Sequence, residues 1–202
     1  MEGNETNFQT PAPEPNVDSI NWGREIFEWV ACFAIAIVIA LLIKNFLFTL
    51  VKVDGASMNP TLTHGDRLFT RVIGYTEPKA GDIIIFHPPV GENNKAPKKD
   101  IAFVKRVIAV EGQTVDINSH GEVIVDGEVL SEDYIKEKID TRYLMTTEFP
   151  FEVPADTVFV LGDNRNNSHD SRSADIGAVP LDNIMGKAEF RLWPLGSFGG
   201  LY

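Results

Sequence analysis

The order of apolar and polar residues divides the chain into an N-terminal apolar segment and a longer region of short β-like runs. Residues 29–43 read WVACFAIAIVIALLI and carry no charge. Counted from Trp22, the stretch reaches the ~20 residues that a helix needs to cross a bilayer. Residues 1–21 are polar and rich in proline, so they cannot bury enough apolar surface to become ordered. We therefore predict a disordered tail over 1–21 and one transmembrane anchor over 22–50.

Three other interpretations of the apolar segment stay open. It could be a buried helix of a soluble domain. A cleaved signal peptide is disfavoured because the preceding region is acidic and no small-x-small cleavage site follows. A helix lying in the membrane plane is disfavoured because the segment is apolar on all sides. The flanking charges do not favour an N-terminus inside the cell, because Lys44 and Lys52 follow the segment whereas Arg24 alone precedes it.

After residue 51 the pattern changes to short runs of β-branched and aromatic residues, separated by Gly and Pro. Within one of these runs, Asp126-Gly127 is a turn pair typical of a β-hairpin. No long helical period follows the anchor. We therefore predict a mainly β, barrel-like domain over residues 51–202. The clearest predicted strand regions are Asp82–Phe86, Ile101–Val110, Glu122–Leu130 and Thr157–Leu161.

Composition excludes some classes of function. The formal net charge of -11 argues against nucleic acid as a partner, because phosphate binding needs a basic surface. The single cysteine, Cys32, cannot form an intramolecular disulfide, and its apolar surroundings indicate a small hydrophobic residue. The spacing of the histidines does not suggest a zinc site, and we expect no metal or cofactor. These histidines are His64, His87, His120 and His169.

Lys105 is the first candidate for chemistry. Strand alternation over Ile101–Val110 places it on the same face as Phe103 and Val107, among apolar side chains. Loss of hydration lowers the pKa of a lysine, and a neutral amine can act as a general base. From the strand alone, a lysine that reaches solvent past an edge strand, or one paired with a carboxylate, explains the pattern as well.

Two polar segments supply further candidates. Ser57 lies between Gly55, which permits close approach of a substrate backbone, and Pro60, which fixes the following loop. An ordinary turn serine is the alternative. Residues 161–172, LGDNRNNSHDSR, leave an apolar run and are dense in short polar side chains. This density favours a hydrogen-bonded scaffold around a site, although an ordered surface turn or a cation-binding loop is also possible.

Together these segments resemble the type I signal peptidases over roughly residues 22–194. Any one motif is weak, but four in the family order after an apolar span are specific. The matching motifs are SMNPTL at 57–62, GDIIIF at 81–86, KRV at 105–107 with EG at 111–112, and GDNR at 162–165 followed by NS at 167–168 and DSR at 170–172.

The resemblance implies a signal-peptidase-like β-barrel catalytic domain with a smaller β insertion over about residues 113–151. It also implies a Ser–Lys pair in which Ser57 attacks the scissile carbonyl and Lys105 takes the serine proton. The Ser57 backbone N–H would donate to the oxyanion. Many family members carry a serine hydroxyl as a second donor two residues earlier, where this chain has Gly55.

Further roles follow from the same resemblance. Ser168 would orient the Lys105 amine, Asp170 and Arg172 would form a supporting ion pair, and Asp163 and Arg106 would support the site from behind. The substrate would lie extended between residues 51–54 and 101–104, by strand addition, with small side chains one and three residues before the cut. The residues expected to line the substrate pockets are Val53, Met58, Leu62, Phe103 and Val104.

The expected function is that of a membrane-bound endopeptidase that removes N-terminal signal peptides from secreted preproteins. Its partners would be secretory preproteins and the lipid bilayer, and it would act as a monomer. Cleavage sites emerge outside the cell membrane, which predicts an extracytoplasmic catalytic domain and a cytoplasmic N-terminus despite the flanking charges.

Two alternative functions remain. A self-cleaving repressor-type peptidase shares the Ser–Lys pair, but the apolar span and the acidic charge disfavour it. A non-catalytic, membrane-tethered β-domain protein for binding or assembly is the other, and it would not need both Ser57 and Lys105.

Overall fold

The computed structural model describes residues 22–42, 48–89, 101–142 and 145–201. The first of these ranges is a single helix, α1, Trp22–Leu42. Within the described ranges, no helix combines the length and the apolar character that crossing a bilayer requires. The predicted tail over 1–21 and part of the predicted anchor lie outside the described residues.

The chain divides into two compact units between Ala40 and Leu41, so that all but the last two residues of α1 belong to the first unit and the strands belong to the second. Glu25 lies in its first turn, where a negative charge interacts favourably with the helix dipole. Arg24 and Glu28 form an ion pair one turn apart. Large apolar side chains on α1, among them Trp29 and Phe33, are exposed.

The rest of the described chain is built from short strands and two single-turn 3₁₀ helices, Leu181–Asn183 and Leu195–Ser197. The strands are β1 Phe48–Lys52, β2 Arg67–Arg71, β3 Ile83–Phe86, β4 Phe103–Val110, β5 Thr114–Ile117, β6 Val123–Val125, β7 Glu128–Val129, β8 Phe151–Glu152, β9 Thr157–Leu161, β10 Val179–Pro180, β11 Ile184–Trp193 and β12 Gly199–Gly200.

The main sheet has the strand order β1-β2-β11-β3-β4-β9-β10, with β12 paired to β11, and its pairings are antiparallel. The predicted mainly β fold is thereby confirmed. The expected barrel is corrected to a curled half-barrel, because β1 and β10 end the described path without pairing to each other. A sheet with free edges leaves backbone groups available for another strand.

A second, smaller sheet has the order β7-β6-β5-β8 and covers residues 114–152. Its β6–β7 hairpin turns at Asp126 and Gly127, whose φ angles are 52° and 85°. Two consecutive positive φ angles define the type I′ turn that matches the twist of paired strands. The Asp-Gly pair in the sequence predicts this turn correctly.

Strand β4 is the centre of the fold because it contacts three separate hydrophobic clusters. Val104 packs against the cluster beneath the Ser57 loop, Val107 belongs to the cluster behind β3 and β9, and Ile108 belongs to the cluster shared with the small sheet. With apolar groups on both faces, residues 105–109 are all buried. Any polar side chain on this part of β4 is therefore held in a region of low dielectric constant.

Candidate active site

Ser57 and Lys105, which lie 48 positions apart in the sequence, meet in space. The Ser57 Oγ lies 2.8 Å from the Lys105 Nζ, and the same amine donates to the carbonyl of Val104 at 3.0 Å. Lys105 is 4% exposed. A hydroxyl in contact with a sheltered amine is the arrangement of an activated nucleophile and its base.

The surroundings of Lys105 favour its neutral form. Burial lowers the pKa of the amine from 10.5 to about 8, and the nearby Arg172 guanidinium acts in the same direction. The Asp170 and Asp163 carboxylates act against this shift, but burial is the larger effect. The amine is therefore available as a base within reach of neutral pH.

The loop that carries Ser57 is held by two hydrogen bonds from Asn164. The Asn164 backbone N–H donates to the Ser57 carbonyl at 3.0 Å, and its side-chain Nδ2 donates to the Ala56 carbonyl at 3.0 Å. No described residue accepts a hydrogen bond from the Ser57 N–H, so that donor is available to an oxyanion. In the sequence, Asn164 is one residue of the GDNR motif, and nothing in that motif indicates this role.

A buried ion pair lies behind the nucleophile. Arg106 binds both carboxylate oxygens of Asp163, at 2.9 and 2.7 Å, and the two side chains are 1% and 0% exposed. Thr61, from the Ser57 loop, donates its hydroxyl hydrogen to the same carboxylate. The Arg106 guanidinium also stacks over the Tyr134 ring at 4.0 Å and donates to the Gly81 carbonyl. This network links the Ser57 loop to β4.

Asp170 and Arg172 form the predicted second ion pair. Arg172 Nε and Nη2 donate to the two Asp170 oxygens at 2.8 and 2.9 Å, and the Gly162 N–H donates to Asp170 at 3.0 Å. Burial alone would raise the pKa of Asp170, but these donors outweigh it, and the pKa lies below the usual value. The carboxylate therefore stays ionised and holds residues 162–172 in a closed loop.

Ser168 does not make the expected bond to Lys105 in this structure. The Lys105 amine donates to Ser57 and Val104 instead, whereas the buried Ser168 hydroxyl lies near the Asp170 carboxylate and helps to lower the pKa of that group. The Ser168 side chain packs instead against Gly162, in the space that any side chain at position 162 would need. Gly162 thus permits the close approach of Ser168 and of the Ser57 carbonyl.

A cleft of about 290 Å³ lies beside the Ser57–Lys105 pair and is lined by residues 51–58, residues 102–105, Asn167 and His169. Four of the five predicted pocket residues line it, namely Val53, Met58, Phe103 and Val104. The fifth, Leu62, does not. It is 0% exposed and packs in the cluster with Leu68 and Ile83, because the chain turns through residues 58–62 and directs this side chain into the core.

Both long walls of the cleft have an unused strand edge. Strand β1 pairs with β2 on one side, and no described strand pairs with its other side. Strand β4 pairs with β3 along Phe103–Arg106, whereas its pairing with β9 begins only at Arg106. Backbone N–H and C=O groups are therefore available on both walls at the level of the Ser57–Lys105 pair.

The position two residues before Ser57 holds no side chain that could serve as a second oxyanion donor. Gly55 has a φ of 104°, and nothing lies within 4 Å of the place where a Cβ would stand. Its N–H donates to His64 Nδ1 at 3.3 Å, and the same nitrogen lies 3.1 Å from Asp54. A second pair of the same kind is formed by His169, which lines the cleft, and Asp175.

Comparison with known proteins relates this chain to one family. The family model described as signal peptidase, peptidase S26, matches residues 26–193. A signal peptidase I from Leptolyngbya laminosa is 38% identical over 195 residues, which cover 96% of this chain and 92% of the relative. A probable signal peptidase I-1 from Synechocystis sp. is 40% identical over 194 residues, or 95% and 91% of the two chains.

A crystal structure of a signal peptidase I from Enterococcus faecalis V583 was also matched. It is 30% identical to this chain, with a TM-score of 0.42, over 55% of this chain and 96% of that one.

Proposed function

This chain belongs to the signal peptidase family, peptidase S26, and we propose that Ser57 and Lys105 are the residues with which it cleaves signal peptides from preproteins. Its relatives are signal peptidase I enzymes, so the chain is a serine endopeptidase and a hydrolase. The observation that carries the assignment of the two residues is the 2.8 Å contact between Ser57 Oγ and an amine whose pKa is lowered to about 8.

In the first half of the reaction, Ser57 Oγ attacks the scissile carbonyl while its proton passes to the neutral Lys105 amine. The negative charge that develops on the carbonyl oxygen is stabilised by the Ser57 backbone N–H. When the C–N bond breaks, the Lys105 ammonium gives its proton to the leaving amine, which becomes the N-terminus of the mature protein. The signal peptide remains attached to Ser57 as an ester.

In the second half, a water molecule gives a proton to Lys105 as its oxygen attacks the ester carbonyl. Collapse of the tetrahedral intermediate breaks the bond to Ser57 Oγ, which takes the proton back from the amine. The enzyme is then restored, and the signal peptide leaves with a C-terminal carboxyl group, which ionises by releasing its proton to the solvent. The contact between Lys105 and the Val104 carbonyl keeps the amine directed at the reacting atoms through both halves.

The substrate would bind as an added strand between the two unused edges of the cleft. Backbone hydrogen bonds to residues 51–54 and 101–104 would supply affinity. Val53, Met58, Phe103 and Val104 would form the walls of shallow pockets that admit only small side chains. This proposal retains the expected preference for small residues one and three positions before the cut.

The proposal includes a single-pass membrane anchor over 22–50, an N-terminus inside and a catalytic domain outside the cell membrane. The uncharged run over 29–43 and the exposed apolar side chains of α1 support the anchor. The need to meet cleavage sites as they emerge supports the orientation. Because both Ser57 and Lys105 come from one chain, no second copy is needed, and we propose that it acts as a monomer.

The apolar surface of the β-rich unit also supports contact with lipid. Leu50, Phe69 and Phe190 lie in register across β1, β2 and β11, and Leu50 and Phe190 are exposed. Trp193 at the end of β11 and the following residues Leu195 and Phe198 are exposed as well. Large exposed apolar patches on soluble domains mark contacts with proteins or membranes.

Cleavage of a preprotein by the full chain in detergent tests the proposed residues. Ser57→Ala and Lys105→Ala should each lower kcat/KM at least about 1,000-fold, because each removes half of a unit that acts together. Ser197→Ala and Lys136→Ala, which change the same residue types at exposed positions, should leave the rate unchanged. Normal cleavage by the Ser57 and Lys105 variants would show that another site does the chemistry.

A further inference from the structure

His169 stands at the cleft without a part in the Ser57–Lys105 chemistry. It lines the same wall as Phe103, and the two rings meet edge to face with centroids 6.0 Å apart. The Phe103 centroid lies 5.2 Å from the Lys105 Nζ. The imidazole is therefore separated from the reacting amine by one aromatic ring, and about half of its side-chain surface is exposed.

Asp175 determines which nitrogen of the His169 ring carries the hydrogen. His169 Nε2 lies 3.0 Å from the Asp175 carboxylate. An ionised carboxylate only accepts hydrogen bonds, so Nε2 carries the hydrogen. In a neutral imidazole that carries its hydrogen on Nε2, the other ring nitrogen has a free lone pair. The other ring nitrogen, Nδ1, is then an acceptor, and no hydrogen bond to it is found within the described ranges.

The reaction itself indicates which part of a substrate lies near this imidazole. The leaving amine takes its proton from Lys105, so the first residue of the mature protein lies beside Nζ when the bond breaks. Phe103 borders that position, and His169 borders Phe103. Phe103 is also a wall of the pocket before the cut, so His169 lies next to the cleavage point, where the first residue after the cut is within its reach.

We propose that His169, oriented by Asp175, is a specificity-determining residue that selects preproteins by the first residues of their mature part. The imidazole supplies a fixed acceptor, and Asp175 adds a negative charge next to it. Side chains with a hydrogen-bond donor are favoured there, and carboxylates are disfavoured. This inference rests on the proposed function, since it needs a cut beside Lys105.

The test uses the full chain in detergent and three peptide substrates that differ only in the first residue after the cut, which is Lys, Met or Glu. We expect the kcat/KM ratio of the Lys to the Glu substrate to fall about 3- to 10-fold in His169→Phe, which keeps a ring against Phe103 but loses the acceptor. Asp175→Asn should also lower the ratio, because its amide can donate to Nε2 and turn Nδ1 into a donor. The matched control, His120→Phe, changes an exposed histidine in the turn between β5 and β6 and should keep the wild-type ratio.

The measurements distinguish a failure of the proposed function from a failure of the role of His169. If the wild-type chain cleaves none of the three peptides or any preprotein, the proposed function fails. If it cleaves them and His169→Phe keeps the wild-type ratio, the role of His169 is wrong and the proposed function stands. An equal loss on all three substrates in His169→Phe would mean that the ring only supports Phe103, which also overturns the specificity role.

Discussion

At the scale of single residues, the chemistry depends on a lysine kept out of water. Lys105 is buried by the apolar neighbours of β4, and the two carboxylates near it do not restore the pKa of a hydrated lysine. Each of these carboxylates is already bound to an arginine, Asp163 to Arg106 and Asp170 to Arg172. Their charges are thereby largely compensated, and the effect of burial on the amine prevails.

The pH dependence of activity follows from this shift. Only the neutral amine can take the serine proton, so kcat/KM should rise with pH and level off above the Lys105 pKa of about 8. The protonated, inactive fraction of Lys105 falls as pH rises, so activity increases with pH. A pH–rate profile between pH 5.5 and 10 measures this, with Lys136→Met as a control that should keep the same midpoint. A rate that keeps rising to pH 10 without a break near 8 would mean that Lys105 remains an ordinary hydrated lysine.

At the scale of elements, the site is made by two loops that follow β1 and β9. Residues 162–165 reach the Ser57 loop through the bonds of Asn164 and through the contact of Thr61 with Asp163. Ser57 lies in a turn and not in a helix or strand, so the position of its side chain depends on these cross-links between the two loops. The nucleophile is therefore positioned by its partner loop more than by its own strand.

Exchange of one amide for a carboxylate tests this dependence. In Asn164→Asp the donor to the Ala56 carbonyl becomes an acceptor, and the resulting repulsion should displace Ser57 and lower kcat about 10- to 100-fold. Asn166→Asp is the matched control, because Asn166 Nδ2 also donates to a carbonyl, that of Lys138 in the small sheet region.

The control should lose some thermal stability, since an exposed hydrogen bond contributes only about 1 kcal/mol. It should keep kcat within about 3-fold, because the Asn166 bond is to Lys138 and not to the Ser57 loop. Equal kcat values for the two variants would show that the Asn164 contact stabilises the fold without positioning the nucleophile.

At the scale of the whole molecule, an acidic chain presents an apolar patch. The net charge of -11 keeps the surface well hydrated, yet Trp193, Leu195 and Phe198 are exposed close together in sequence after β11. A patch of this kind is costly in water and favourable in a bilayer interface, where aromatic residues are enriched. We expect it to hold the cleft close to membrane-embedded substrates.

The double variant Leu195→Ser with Phe198→Ser tests this expectation. Cleavage of a preprotein in lipid vesicles should slow several-fold, because two apolar side chains that would contact lipid are replaced by polar ones. Cleavage of a short peptide in detergent should stay at the wild-type rate. Val129→Ser, at an exposed apolar position of β7, is the control. An equal loss in vesicles and in detergent would indicate damage to the fold instead.

Local patterns determined several features of this protein without reference to the fold. The alternation over β4 places Lys105 among apolar side chains, and the Asp126-Gly127 pair specifies the turn between β6 and β7. The apolar run over 29–43 and the motif around Ser57 are likewise properties of the sequence. Each is local because strand period, turn chemistry and hydrophobicity act between residues only a few positions apart.

The tertiary structure decided the rest, because it depends on contacts between residues far apart in the sequence. Leu62 has the same apolar character as the cleft residues, but the turn after Ser57 directs it into the core. Asn164 is one of several amides in its loop, and only the packing of that loop against Ser57 gives it a role. The contact between Ser57 and Lys105 itself requires β1 and β4 to be brought together by the sheet, and no local pattern encodes that distance.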